Sequence, residues 1–271
     1  MSYGTLAGFF FGLALFVASV LLSTQNVLMF LSFQSILLVL GGTIANAFIS
    51  FQTRYVLRSF KSIWRMFFHA KYEQDLIVTE SKRIMSWAYM VRKEGVLSLD
   101  KMANGKEAHD HLLKYGIRLV ADNKRAEEVR MLLNNVVQSA FNRTQPVVKV
   151  LRNMGSTAPA FGMVGTLVGL IVMLDSMSSN PDGLGQGLAI ALLTTLYGVL
   201  MARLVFQPAA DKTLQRAYIE RFRNQLIVRC LCCIAAEKSP REIELELTSL
   251  LDPELQIDFA KIRKSSTTAK A

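Results

Sequence analysis

Nothing before Arg54 in this chain is Asp, Glu, Lys, Arg or His. A helix crossing the hydrocarbon core of a bilayer needs about 20 apolar residues, and a charge at its centre costs roughly 2.5–3.5 kcal/mol on insertion scales. Two later uncharged runs, Asn153–Leu174 and Gly183–Ala202, repeat the pattern. The chain therefore reads as an all-α integral membrane protein whose charge-free stretches are its spans.

The N-terminal stretch is too long for one helix, and Ser23-Thr24-Gln25-Asn26 divides it. The expected spans are Thr5–Leu22, Val27–Phe51, Ala158–Met177 and Leu184–Phe206. A cleaved signal peptide fits the first poorly, because Met1-Ser2-Tyr3-Gly4 carries no basic residue and a second apolar run follows at once. All 31 Lys and Arg residues fall within Arg54–Arg152 or Arg203–Lys270. The positive-inside rule then faces both basic segments to the cytoplasm, with both termini inside. Retention of basic loops beside an anionic inner leaflet accounts for the net charge of +10 without nucleic acid.

Four segments follow: residues 1–52 with spans one and two, a large helical cytoplasmic domain at 53–152, spans three and four at 153–207, and cytoplasmic C-terminal helices with a tail at 208–271. Arg54, Arg58, Lys61 and Arg65, with Tyr55, Phe60, Ile63, Trp64 and Phe67, predict a basic amphipathic helix leaving the membrane. Ile77–Tyr89 and Ala121–Val137 have helical periodicity, and Asn104-Gly105 marks a turn. Arg125–Leu174 reads as one long helix bent at Pro146 and Pro159. Leu214, Tyr218, Phe222, Leu226 and Cys230 predict one apolar stripe on a descending helix. Ser239-Pro240 starts a short acidic helix, Arg241–Leu251, that Asp252-Pro253 ends. Cys230, Cys232 and Cys233 read as small apolar packing rather than as a metal site, because His69, His109 and His111 are remote.

Ion transport usually needs a titratable or coordinating group inside the bilayer. Asp175 lies at the outer end of span three and Arg203 near the inner end of span four, and no carboxylate lies at mid-depth. The spans are therefore either structural or completed by a partner's carboxylate. Thr166, Thr194 and Thr195 can ligate a small hard cation or can bond back to a carbonyl one turn earlier. Gly41, Gly42, Gly162, Gly165 and Gly169 allow close helix approach without naming a function. Pro159 and Pro208 at the membrane boundaries can kink a helix or serve as pivots. No nucleophile–base set or metal cluster suggests an enzyme.

At these residues the chain resembles a known family. Thr157-Ala-Pro-Ala-Phe-Gly-Met-Val-Gly-Thr-Leu-Val-Gly-Leu170, Ala189-Ile-Ala-Leu-Leu-Thr-Thr-Leu-Tyr-Gly198 and Ser35-Ile-Leu-Leu-Val-Leu-Gly-Gly-Thr43 resemble spans of the MotA/PomA subunits of the bacterial flagellar stator. Ile234-Ala-Ala-Glu-Lys-Ser-Pro-Arg-Glu-Ile-Glu-Leu-Glu-Leu247 is similar to the family's C-terminal pattern. The resemblance implies an inner-membrane subunit that forms a ring, a pentamer, around the single spans of two MotB/PomB-type partners, each with a membrane Asp and a peptidoglycan-binding domain. Ion flow past that Asp would turn the ring against the rotor protein FliG. It implies Pro159 and Pro208 as conformational-coupling residues, and Arg92, Lys93 and Asp100 as rotor contacts. Without it, Arg92 and Lys93 are a solvated helix end. Thr166, Thr194 and Thr195 resemble the sodium-driven PomA branch, so the expected ion is sodium, with a proton as the alternative and no cofactor. An ExbB/TolQ-type energiser usually has three spans, with its large loop after the first. A self-contained channel would need mid-span acids.

Overall fold

The computed structural model describes residues 3–24, 27–68, 73–95, 98, 110–176 and 184–251, and every regular element among them is helical. The elements are α1 (Tyr3–Ser23), a 3₁₀ turn (Val27–Phe30), α2 (Phe33–Ser50), α3 (Thr53–Phe68), α4 (Glu73–Glu94), α5 (His111–Ala121), α6 (Ala126–Ser176), α7 (Leu184–Leu200), a π segment (Met201–Phe206), α8 (Gln207–Ala235) and α9 (Pro240–Leu250). Among the described residues, four helices are long and apolar enough to cross a membrane, and each overlaps one of the four expected spans. Asp100, the Asn104-Gly105 turn, His69, His109, Asp252-Pro253 and the tail lie outside the described residues.

Span two starts later than its hydropathy suggests. Val27–Phe30 forms a tighter turn, and the α-helix begins at Phe33. Ser32 is the reason: it is extended, and its hydroxyl accepts the Ser35 N–H at 3.3 Å, which satisfies an orphan donor of the first turn.

Two compact units divide the chain. One holds Met1–Ala70 and Thr144–Gln215; the other holds Lys71–Arg143 and Arg216–Ala271. The span-bearing unit keeps α3 because that helix buries Val56, Ser59 and Met66. Val56 and Met66 sit with Val147, Val150, Leu151 and Ala209 in two apolar clusters. In the same unit α2 buries Ser35, Val39, Thr43 and Ala47, one residue every turn. Among the described side chains of α1, Val20 is the one large residue that is buried.

The second unit has its own core of Ile84, Met85, Trp87, Leu113, Ile117, Leu133, Leu226, Ile227, Leu231, Ile243 and Leu247. The stripe expected along α8 is buried at Leu226 and Cys230, whereas Tyr218 is exposed, its ring 5.2 Å from that of Phe141. The periodic stretch Ala121–Val137 is not one helix. Asn123 takes a left-handed conformation (φ 55°), and the Lys124 N–H reaches back to the Leu119 carbonyl at 3.2 Å, which ends α5. Helix α9 starts in a capping box: Ser239 and Glu242 exchange side-chain-to-backbone bonds with Pro240 in the first turn. Cys230 and Cys233 are buried in this core, and burial raises both thiols above their ordinary range.

Candidate functional site

Helices α6 and α7 pair antiparallel through their smallest residues. A Cβ at Gly169 would lie 2.8 Å from the Ala191 Cβ, and one at Gly165 would lie 2.6 Å from the Thr194 Cβ. One at Gly162 would lie 2.9 Å from the Thr194 carbonyl oxygen and 3.0 Å from the Thr195 Cα. In water-free surroundings helices associate through close packing rather than apolar burial, so a face without side chains is itself the contact. The facing helix supplies small residues that sequence reasoning passed over. A Cβ at Gly187 would meet that of Met173 at 2.9 Å, and one at Gly198 would stand 2.6 Å from the Ala158 carbonyl oxygen. The signal was present: Gly187, Ala191, Thr194 and Gly198 recur every third or fourth residue. Gly42 of α2 leaves room for the Phe161 ring, which a Cβ there would strike, while Gly41 has nothing within 4 Å.

The structure places the three candidate threonines unequally. Thr194 is 1% exposed, and its hydroxyl donates to the Ala191 carbonyl at 2.7 Å. The Thr166 hydroxyl donates to the Met163 carbonyl at 2.6 Å. The Thr195 hydroxyl donates across the pair to the Gly162 carbonyl at 3.4 Å. Each hydrogen goes to a backbone carbonyl, and each oxygen keeps lone pairs.

The two prolines flank this face at one end. Pro159 lies within α6 and withholds a donor from the Gly155 carbonyl. A Cβ at Gly155 would lie 3.0 Å from Cγ of Gln207, the residue before Pro208. Pro208 follows the π segment. There the Gln207 N–H reaches Ala202, five residues back. The extra residue per turn moves the ring of Pro208, which has no N–H, away from the carbonyl it would strike in a regular α-helix. Arg203, exposed in the same segment, donates to Gln207 Oε1 at 2.9 Å.

Two polar links tie α2 to this pair, and neither was foreseen. The Tyr197 hydroxyl donates to the Phe30 carbonyl and accepts the Ser32 N–H at 3.2 Å. The Asn46 side-chain amide donates to Asn153 Oδ1 at 3.1 Å and to Thr157 Oγ1 at 3.3 Å.

In the second unit, Arg92 and Lys93 are exposed in the last turn of α4, which stops before Gly95 at φ 82°. An ion cluster holds the buried side of that helix. Arg223 donates to Asp110 Oδ2 at 2.6 Å and to Glu80 Oε1 at 2.9 Å. Glu80 also pairs with Arg83, which lies over the Trp87 ring at 5.3 Å. The other oxygen of Asp110 accepts the Leu112 N–H at 3.1 Å and caps α5. Burial opposes the charge on Arg223. The Asp110 hydrogen bond and the fields of Glu80 and Asp110 outweigh it, holding the guanidinium above its ordinary value.

Fold and site together define a polytopic helical membrane protein whose spans meet through a glycine–threonine face that carries no acid of its own. Residues 104–225 match the MotA/TolQ/ExbB proton channel family. PomA of Vibrio alginolyticus, named a chemotaxis protein, is 34% identical over 253 residues, 93% of this chain and 96% of the relative. The uncharacterized protein YtxD of Bacillus subtilis is 34% identical over 247 residues, 90% of this chain and 89% of that one. The solved C. jejuni MotAB structure shares the fold with a TM-score of 0.84 at 22% identity, covering 96% of this chain and all of its counterpart. The flagellar MotAB stator complex of Bacillus subtilis does so at 0.79 and 24% identity, covering 94% of this chain and 96% of its counterpart. The chain belongs to the MotA/PomA group of this family and is a multi-pass membrane subunit, not an enzyme.

Proposed function

We propose that this chain is the ion-conducting, torque-generating stator subunit of a bacterial flagellar motor. It rings, as a pentamer, a single-span MotB/PomB-type partner whose wall-binding domain is fixed and whose membrane Asp carries the ion. Both termini and the large helical domain are cytoplasmic, and the α4 end bearing Arg92 and Lys93 engages FliG. Exposed complementary charges give salt-sensitive, reversible contacts, which suits engagement that must be repeated. One observation carries the reading: the spans of a chain similar to PomA from end to end contain no mid-depth carboxylate. A transport path needs such a group, so the partner brings it.

Sodium is the ion this reading favours. Thr166 and Thr195 keep hydroxyl lone pairs that can replace part of a sodium hydration shell, and Thr194 is spent on packing against Gly165. A proton is the second reading, favoured because all three hydroxyls already bond backbone carbonyls as structural threonines do.

Coexpression in a stator-deleted flagellated host tests both. Motility should return only when the chain is supplied with a partner whose membrane Asp is intact, and swimming speed should rise with sodium at fixed pH. Flux or motility from this chain alone would overturn the borrowed-acid reading. Speed that follows pH and ignores sodium would replace sodium by the proton.

A further inference from the structure

Helix α3 has two faces with different fates. Val56, Ser59 and Met66 are buried, the Ser59 hydroxyl lies 3.4 Å from the Val147 carbonyl, and the Ser62 and Thr213 hydroxyls share a hydrogen bond. Those contacts fix the rotation of the helix about its axis. Arg54, Arg58, Lys61 and Arg65 are spaced four, three and four residues apart and so share the other side, where all four are exposed. Beside that stripe Leu57 is 59% exposed and Trp64 69% exposed, seven residues apart on one flank. Only Phe51 and Gln52 separate α2 from α3. A two-residue link spans at most about 10 Å, which holds the start of α3 close to the end of a bilayer-crossing helix. The first acid in the sequence is Glu73.

We infer that the Arg54–Arg58–Lys61–Arg65 stripe of α3 is a binding site for the headgroups of anionic phospholipids in the leaflet where span two ends, with Leu57 and Trp64 seated at the acyl boundary beside it. The charge pattern decides against a zwitterionic lipid. A juxtamembrane cation is worth about fivefold in partitioning onto an anionic surface, and several aligned cations multiply that preference. The apolar flank distinguishes the site from a solvated basic face, because an exposed Trp and Leu beside cations are the components of an in-plane membrane helix. Through Ser59 and Ser62 the bound helix bears on Val147 and Thr213, in the helices that carry Pro159 and Pro208.

The chain has two tryptophans, Trp64 and Trp87, so Trp87→Phe leaves Trp64 as the only reporter. The full chain, reconstituted in nanodiscs, is compared with brominated phosphatidylglycerol and with brominated phosphatidylcholine at equal fraction. Trp64 quenching should be about twofold or more stronger with the brominated phosphatidylglycerol, and the difference should shrink as salt rises from about 0.1 M to about 1 M. It should vanish in Arg58→Gln/Lys61→Gln and persist in Arg58→Lys/Lys61→Arg. Equal quenching by the two lipids, or none by either, overturns the inference, and the unsubstituted stripe with its salt series gives that answer even where a variant does not fold. The readout involves no ion flow or torque, so its failure leaves the stator reading standing, and failure of the stator reading leaves this one to be judged alone.

Discussion

Gly198 lies against the backbone at Pro159: a Cβ there would stand 2.6 Å from the Ala158 carbonyl oxygen and 3.1 Å from the Pro159 Cα. Neither atom belongs to a side chain that could rotate away. Gly198→Ala must therefore push α7 off α6 at the proline, at a cost of about 1–3 kcal/mol for forced overpacking. The expected result is a lower melting temperature of the detergent-purified chain together with loss of motility. Gly41→Ala, with nothing within 4 Å, should leave the melting temperature of the same preparation unchanged. The reverse order of severity would mean the packing face is assigned to the wrong glycines.

If sodium passes as proposed, the threonines should separate packing from ion handling. Thr195→Ala and Thr166→Ala remove a hydroxyl from partly exposed positions, so ring assembly should persist while the sodium concentration for half-maximal speed rises severalfold. Thr195→Ser should restore it, because the oxygen and its bond toward Gly162 return. Thr194→Ala removes a methyl and a hydroxyl packed at Gly165 and should act through stability instead, by about 1 kcal/mol or more. Unchanged speed across sodium concentrations in both Thr166→Ala and Thr195→Ala would remove these residues from the ion pathway.

The spans were legible because all but their end positions exclude ions, so a long run without Asp, Glu, Lys, Arg or His is a signal repeated at nearly every residue. The Ser239-Pro240 start was legible too, since its partner Glu242 is three residues away. What stayed hidden was non-local. Hydropathy alone began span two at Val27, but Tyr197, 167 residues from Phe30, takes the carbonyl there, and Ser32 caps the helix that follows. Among the site residues, the glycines of α6 could be read as a contact face, but not that Thr194 closes onto Gly165 while Thr195 reaches Gly162. Adjacent residues with the same hydroxyl look equivalent in sequence, and only the helix phase distinguishes them.

Arg223 joins partners 143 and 113 residues away, Glu80 and Asp110. Removing the cation leaves buried Glu80 desolvated without compensation; breaking a fully buried pair costs about 3–5 kcal/mol, and this partly buried cluster should cost less than that. Arg223→Ala should therefore loosen α4 and α5 together, seen as faster hydrogen exchange in Glu73–Glu94 and His111–Ala121. Motility should fall although neither Arg92 nor Lys93 has changed. Asp211→Ala, which breaks the exposed Arg152 pair at 3.4 Å, should cost well under about 1 kcal/mol. Comparable damage from the two substitutions would argue that the Arg223 cluster is not holding α4.

Acid should release α9 before the rest of its unit. Hydrogen bonds from Arg229 and Lys238 hold the Glu246 carboxyl below its ordinary range, and bonds from Ser239 do the same for Glu242. For a carboxylate with a depressed folded value, the unfolded state binds the proton first as pH falls. The stabilisation is complete above the ordinary carboxylate value and is lost as pH drops through the lower, folded one. Hydrogen exchange in Pro240–Leu250 should thus be flat from neutral pH to the ordinary carboxylate range. Corrected for the intrinsic rate, it should then accelerate with further acidification. Glu246→Gln should remove most of that pH dependence and leave exchange of α9 faster at neutral pH. An α9 in Glu246→Gln whose exchange retains the full acid dependence would show that the Arg229–Glu246–Lys238 bridge does not hold the helix.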